Sequence, residues 1–322
     1  MEPELEPFWN HERAEHRRLP DVILRVSIYM LLLFSALCVS AAAQTTDRKT
    51  RVAVLSLGNT TTGRRAADQI ARGFESERDE FQVVDRDQAS AAALGIGYKS
   101  SLNMALPDAR DLGSAIGCDF FFTGDAQTLR RSPSSAPIYF ESYASIFLVS
   151  ARTGRLILWE QRSFQAPKPE ESEMALLGAL AKEDTRHRWI VAVKSAIENE
   201  HNERINAIEI VAPVIEEAPV DGDTTANGLQ LPRPYRRLKP PYTTDAAHAE
   251  VEAVVDVLVD IDALGEVSHV EVARWAGYGL DQAVIDTVKN LHFVPARRDG
   301  VAVPLRVLLR YNFRKPVQNR LR

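Results

Sequence analysis

With 322 residues, 45% hydrophobic and 26% charged, the chain is long enough for two globular domains and too apolar to be disordered throughout. A formal charge of -5 gives no basic surface of the kind a phosphate backbone requires, which argues against nucleic acid as a partner. Of the two cysteines, Cys38 lies in an apolar segment and leaves Cys118 without a partner, so no disulfide follows.

Near the N-terminus runs VSIYMLLLFSALCVSAAA, residues 26–43, with no charge. As a helix it would be roughly 27 Å long, enough to cross a bilayer. Two readings stand for residues 1–44. One is a signal peptide cut after Ala41-Ala42-Ala43, which the small residues and the following Gln44 favour; the other is an uncleaved inner-membrane anchor. The second is favoured by the long leader with its acids Glu2, Glu4, Glu6, Glu12, Glu15 and Asp21. Both send the chain from Thr45 across a membrane and predict a periplasmic location. A lipoprotein is excluded, since Leu37 precedes Cys38 where a small residue is needed.

RVAVLSLGN from Arg51 is a strand closed by Gly58-Asn59, and Ala66, Ala67, Ile70 and Phe74 follow at helical spacing. FQVVDRDQ gives a second strand ended by Asp85, with a helix cap expected at Asp87; Pro107-Asp108 opens a helix to Ile116. DFFFTGDAQ is a third strand. IYFESYASIFLVS and RLILWEQRSF flank Ala151-Arg152-Thr153-Gly154 as a long hairpin. Alternating strands and helices closed by a hairpin predict a mixed sheet covered by helices over residues 51–165. The VAVLSLGN, VVDRDQ, IGCDFFFTGDA and TGRLILWE segments, in this order, resemble the α/β domain at the start of TolB and in the CsgG family. That resemblance implies a scaffold or partner-binding role and brings no catalytic residues.

Gly58-Asn-Thr-Thr-Thr-Gly63 has the glycine spacing of a phosphate loop but continues with Arg64-Arg65 in place of Lys and Ser/Thr, so an ordinary polar turn is expected. The histidines His11, His16, His187, His201, His248, His269 and His292 are scattered, without H-E-x-x-H or a Cys/His pair at ligand spacing. Cys118 after Gly117 suits a buried small hydrophobe, and no G-x-S-x-G elbow occurs. No catalytic, cofactor or metal residues are expected, and the chain is not read as an enzyme.

Pro169-Glu170-Glu171 begins a helical segment, 169–205, in which Trp189, Ile190, Val193 and Ile197 make one apolar face for the first domain. Residues 206–244 hold Pro213, Pro219, Pro232, Pro234, Pro240 and Pro241 and predict a stiffened linker between two domains that move independently.

In the last part, residues 245–316, Val255, Val257, Val259 and Ile261 alternate with Asp256, Leu258, Asp260 and Asp262 in a strand. Ala263-Leu264-Gly265 turns the chain into a second strand, 266–273. Leu280, Val284, Val288 and Leu291 recur at helical spacing, Phe293 to Ala296 leads out and is expected to plug the sheet, and Val301 to Phe313 closes as a strand. The fold class is therefore α+β: a mixed-sheet α/β domain, a Pro-rich linker and a small β-β-α-β domain.

The pattern VDIDALGEVSHVEVARWAGYGLDQAVIDTVKNLHFVPARRDGVAVPLRVLLRYNF, with its Gly turn, L-D-x-A helix, F-x-P-A exit and D-G-x-x-V turn, resembles the TonB C-terminal domain. Leu291 stands where that family often has Trp. The resemblance implies a periplasmic adaptor that contacts outer-membrane receptors or other envelope proteins by β-strand addition, along Leu305, Arg306, Val307, Leu308, Leu309, Arg310, Tyr311 and Phe313. It implies energy transduction less, since the apolar N-terminal segment has no histidine beside Ser27 or Ser35. The alternative is a secreted structural or assembly protein that uses the C-terminal module for docking. Pro304 suits an exposed edge, where a missing N–H costs nothing, while Arg306 and Arg310 are charges of the sort that guard an edge.

Overall fold

A computed structural model describes residues 48–134, 137–209, 215–219 and 228–315; the targeting segment 1–44 lies outside the described residues. Among the described residues no helix is long and apolar enough to cross a membrane. The first part runs β1 (Thr50–Val54), α1 (Thr61–Glu75), β2 (Phe81–Val83), α2 (Arg86–Gly95), β3 (Met104–Ala105), α3 (Leu106–Ile116), β4 (Phe120–Arg131), β5 (Tyr139–Ser150), β6 (Leu156–Ala166), α4 (Pro169–Leu180) and α5 (Glu183–Glu209). Five of the strands form a mixed sheet in the order β2-β1-β4-β5-β6, with β1 parallel to β2 and β4 and the remaining pairs antiparallel.

Strand alternation sends Phe120 and Phe122 to one face and Phe121 to the other. On the first face Ile70 and Phe74 of α1, Leu176 of α4 and Trp189 of α5 close the core, with Phe122 and Trp189 ring centroids 5.7 Å apart. Trp189, Ile190 and Val193 are buried as expected. Ile197 is 40% exposed instead, and Ala196 and Glu200 take the inner positions of that turn, where Glu200 accepts a hydrogen bond from Ser150 Oγ. The helix cap on the VVDRDQ segment is Asp85 rather than Asp87: its carboxylate accepts from Gln88 N at 2.9 Å, two residues earlier than the sequence suggested.

The second part comprises β7 (Leu229–Gln230), β8 (Arg233–Pro234), α6 (Thr244–His248), β9 (Ala253–Ile261), β10 (Val267–Trp275), α7 (Leu280–Lys289), β11 (Phe293–Val294), β12 (Ala296–Arg298), β13 (Val301–Val303) and β14 (Leu305–Phe313). Its main sheet has the order β14-β9-β10-β3. Val255, Val257, Val259 and Ile261 line the inner face, and Leu280, Val284 and Val288 of α7 close over it together with Phe293, which is 2% exposed.

The proline-rich stretch departs from the expectation of a free linker at both ends. Helix α5 runs on to Glu209, and from residue 228 the chain is folded onto the C-terminal sheet elements: β7 pairs with β12, and β8, containing Pro234, pairs with β11. Two-residue edge strands need few ladder donors, so proline is tolerated there. Leu229 and Pro240 are buried.

The two parts are also joined directly, contrary to the expectation of independent domains. Strand β3 extends the C-terminal sheet through Met104↔Trp275 and Ala105↔Arg274. Beside it Asn103 Nδ2 donates to Val254 O and Trp275 O, both at 2.7 Å, and Asn103 Oδ1 accepts from Val254 N at 3.0 Å. Trp275, 1% exposed, donates its indole N–H to Gly154 O at 3.0 Å and stacks on Phe147, 5.8 Å between centroids. Gly277, Tyr278 and Gly279 all have positive φ, 71°, 54° and 71°. A Cβ on Gly277 would stand 2.4 Å from Phe147, so only glycine lets the backbone pass. One hydrophobic core therefore includes Phe121 and Phe147 from the first part and Val257, Trp275 and Val284 from the second.

Candidate functional site

Among the described strands β14 pairs with β9 alone, at one of its two sides, in unbroken antiparallel register from Leu305↔Ile261 to Phe313↔Ala253. Such a ladder turns the backbone groups of alternate residues outward. Arg306 fixes the phase, because its N–H donates to Glu216 O and its C=O accepts from Ala218 N, both at 2.8 Å and both away from β9. The N–H and C=O groups of Leu308, Arg310 and Asn312 share that outward direction by the two-residue period. Leu305, Val307, Leu309, Tyr311 and Phe313 bond toward β9, and their side chains lie on the inner face, with Leu305, Val307 and Phe313 buried. Only the even-numbered positions of the expected partner-binding row thus offer backbone groups to a partner, and Leu308, 51% exposed, is its most accessible apolar side chain.

The arginines do not guard this edge. Arg306 is bidentate on Asp260, with Nε to Oδ1 at 2.5 Å and Nη2 to Oδ2 at 2.8 Å, and Arg310 is bidentate on Asp256 at 2.7 and 3.0 Å. Arg274 reaches Asp256 from the other side at 3.4 Å. Hydrogen bonding to Asp260 pushes the Arg306 guanidinium above its ordinary value, so its charge is permanent. The acids are 5% and 4% exposed, covered by the arginines that neutralise them. Folded across the sheet onto β9, both arginines leave the outward backbone row uncovered.

Sequence reasoning missed the residues that occupy or support this edge. Residues 215–219 lie alongside it: Glu217 forms a parallel bridge with Arg306, and the Glu216 carboxylate accepts from Arg298 Nη2 at 2.6 Å. No periodicity marks so short a piece. The matched spacing of Asp256/Asp260 and Arg306/Arg310 was a visible signal, readable once the register is known. Asp281, the aspartate of the L-D-x-A motif, accepts from Ala276 N and Gly277 N, both at 2.8 Å, and holds the turn into α7; burial raises its carboxyl to about 6.

The other sequence candidates have structural roles. Thr60 caps α1, its Oγ1 accepting from Gly63 N at 2.9 Å, which uses a donor a phosphate would need. Cys118 is buried, and desolvation lifts its thiol to about 12, far from a reactive thiolate. His248 bonds the buried Glu141 at 2.9 Å, and His292 bonds Glu266 at 2.8 Å. Among the described residues no group of three or more His, Cys, Asp or Glu could hold a metal ion.

The family described as Gram-negative bacterial TonB protein C-terminal matches residues 239–314. Among solved structures, the Pseudomonas aeruginosa TonB C-terminal domain is 22% identical, with 28% of this chain and 89% of that one covered and a TM-score of 0.23. A hypothetical protein from Chlamydia trachomatis is 10% identical over 37% and 74%, and the PelC dodecamer from Paraburkholderia phytofirmans 11% over 43% and 87%, both with a TM-score of 0.27. No curated protein matches the chain. Residues 239–314, which carry the β9-β10-α7-β14 unit and its edge, are a TonB-family C-terminal domain, a protein-interaction module of the cell envelope.

Proposed function

We propose that the chain is a periplasmic adaptor whose C-terminal domain holds an extended segment of an outer-membrane receptor, or of another envelope protein, by strand addition at β14. The observation that carries this reading is the outward row of backbone groups at Arg306, Leu308, Arg310 and Asn312, already joined at Arg306 by a strand of the same chain. Main-chain bonds would supply the affinity, and side chains on either side the selectivity. No catalytic step belongs to this reading. Titration with extended receptor segments tests it. Leu308→Pro removes an outward N–H without touching the β9 ladder and should abolish binding in a folded protein; undiminished affinity would end the strand-addition model. Proline at Val307 or Leu309 would break the ladder itself.

The alternative, a secreted structural or assembly protein that uses the C-terminal module for docking, is supported by the joint at Asn103, Trp275 and Gly277, which holds that module on the N-terminal domain. The N-terminal domain is then a scaffold that fixes the direction of the edge. Membrane extraction followed by sequencing of the mature N-terminus separates the two. A mature end at Gln44 removes any anchor and, with it, transmission of force from the inner membrane.

A further inference from the structure

The edge is not vacant. Residues 216–218 run parallel to β14 and use both backbone groups of Arg306, one as donor and one as acceptor. The segment is shaped for this place. Ile215 and Ala218 are half-buried, with Ala218 packed against the main core, while Glu216 and Glu217 point to solvent. Glu216 is ion-paired with Arg298 at 2.6 Å, and Glu217 lies close enough to Arg306 to raise that guanidinium further. Pro219, the next residue, has no N–H, and by the two-residue period its nitrogen faces away from β14, so the pairing at Arg306 loses nothing by it.

We propose that Glu216–Ala218 is a resident occupant of the β14 edge, which an incoming extended, acidic peptide must displace and whose chemistry that peptide imitates. The inference rests on the strand-addition reading. A tethered strand competes at an effective concentration that can reach the millimolar range, so an external peptide meets only the fraction of molecules whose edge is open. The pairing already present specifies what can replace it: a strand parallel to β14, with carboxylates that meet Arg298 and Arg306 and small or apolar residues at the half-buried positions. Neutral or basic peptides forfeit the ionic part, which weakens with salt.

The test uses the full chain and a synthetic peptide of its own residues 214–220. Ala218→Pro removes the N–H donated to Arg306 O; the neighbouring residues, extended and followed by proline, accept the change. The variant should bind the peptide about tenfold more tightly than the parent, the factor expected when the segment covers nine-tenths of the edges. A chain with Glu216→Gln and Glu217→Gln should gain less, and a peptide with the same two changes should bind more weakly to either protein. Equal affinity of parent and Ala218→Pro would overturn the resident-strand proposal. The strand-addition reading has its own arm, which leaves the protein unchanged: a peptide methylated on the Ala218 nitrogen should lose binding to Ala218→Pro, and if it binds as well as the unmodified peptide, backbone capture itself is wrong.

Discussion

Replacing Asn103 by alanine tests whether the two parts behave as one folding unit. Its side chain sits in the N-terminal part and makes three hydrogen bonds across the joint, two donated to Val254 O and Trp275 O and one accepted from Val254 N. At about 1 kcal/mol net for each bond, and with half-burial admitting water to part of the gap, the loss is about 2–3 kcal/mol. Neither core loses an apolar group, so no cavity penalty is added. In urea the parent should unfold in a single transition, seen alike by circular dichroism and by tryptophan fluorescence, since Trp189 lies in the first core and Trp159 and Trp275 at the joint. The Asn103→Ala midpoint should fall by about 1 M for a slope of roughly 2–3 kcal/mol per molar. Two transitions in the parent, or a midpoint that the substitution leaves in place, would refute the argument and return the domains to independence.

Phe293→Ala should cost about 3–5 kcal/mol, because the ring is 2% exposed and plugs the space between α7 and the sheet; a loss under about 1 kcal/mol in a denaturation series would put the residue outside the core. Asp281 has its carboxyl raised by burial from the ordinary 3.8 to about 6, against the pull of the Ala276 and Gly277 N–H groups. A raised folded value contributes stability that is complete below about pH 4 and is lost as pH climbs through about 6. The destabilisation by Asp281→Asn should therefore shrink by roughly 2–3 kcal/mol between pH 4 and pH 7, from about 2 units at 1.36 kcal/mol each. Stability curves for the two proteins that stay parallel across that range would contradict the assignment.

Elements with strong periodicity were legible in the sequence. The two-residue period of Val255 to Ile261, the helical spacing of Leu280 to Val288 and the long hairpin around Gly154 all reappear as β9, α7 and the β5–β6 pair. What escaped was carried by pieces too short to have a period. Met104-Ala105 joins the C-terminal sheet only because Asn103 and α3 hold it there, and β7 and β8 are two residues each. The prolines of 206–244 were read for their stiffness, yet Pro234 and Pro240 sit where a packed segment needs no N–H. At the candidate site the strand itself was legible, whereas the direction of its backbone groups was not. One hydrogen bond from Arg306 to Glu216 decides that phase, and with it which positions a proline can block.

The three successive left-handed residues Gly277, Tyr278 and Gly279 bear on how freely this module could be moved between proteins. A tyrosine in that conformation costs about 1–2 kcal/mol. It is held there because its ring is enclosed by Phe147, at 5.6 Å, and Trp159, at 5.1 Å, both from the other part of the chain. Cut out alone, residues 239–315 would keep the strain, lose the enclosure and bare Trp275 and Tyr278 to water. Recombination that grafts this C-terminal piece onto a new partner would then carry a sticky aromatic face and a loosened entry to α7. The packing couples the two halves: a change at Phe147 or Trp159 would call for an answering change at 275–279.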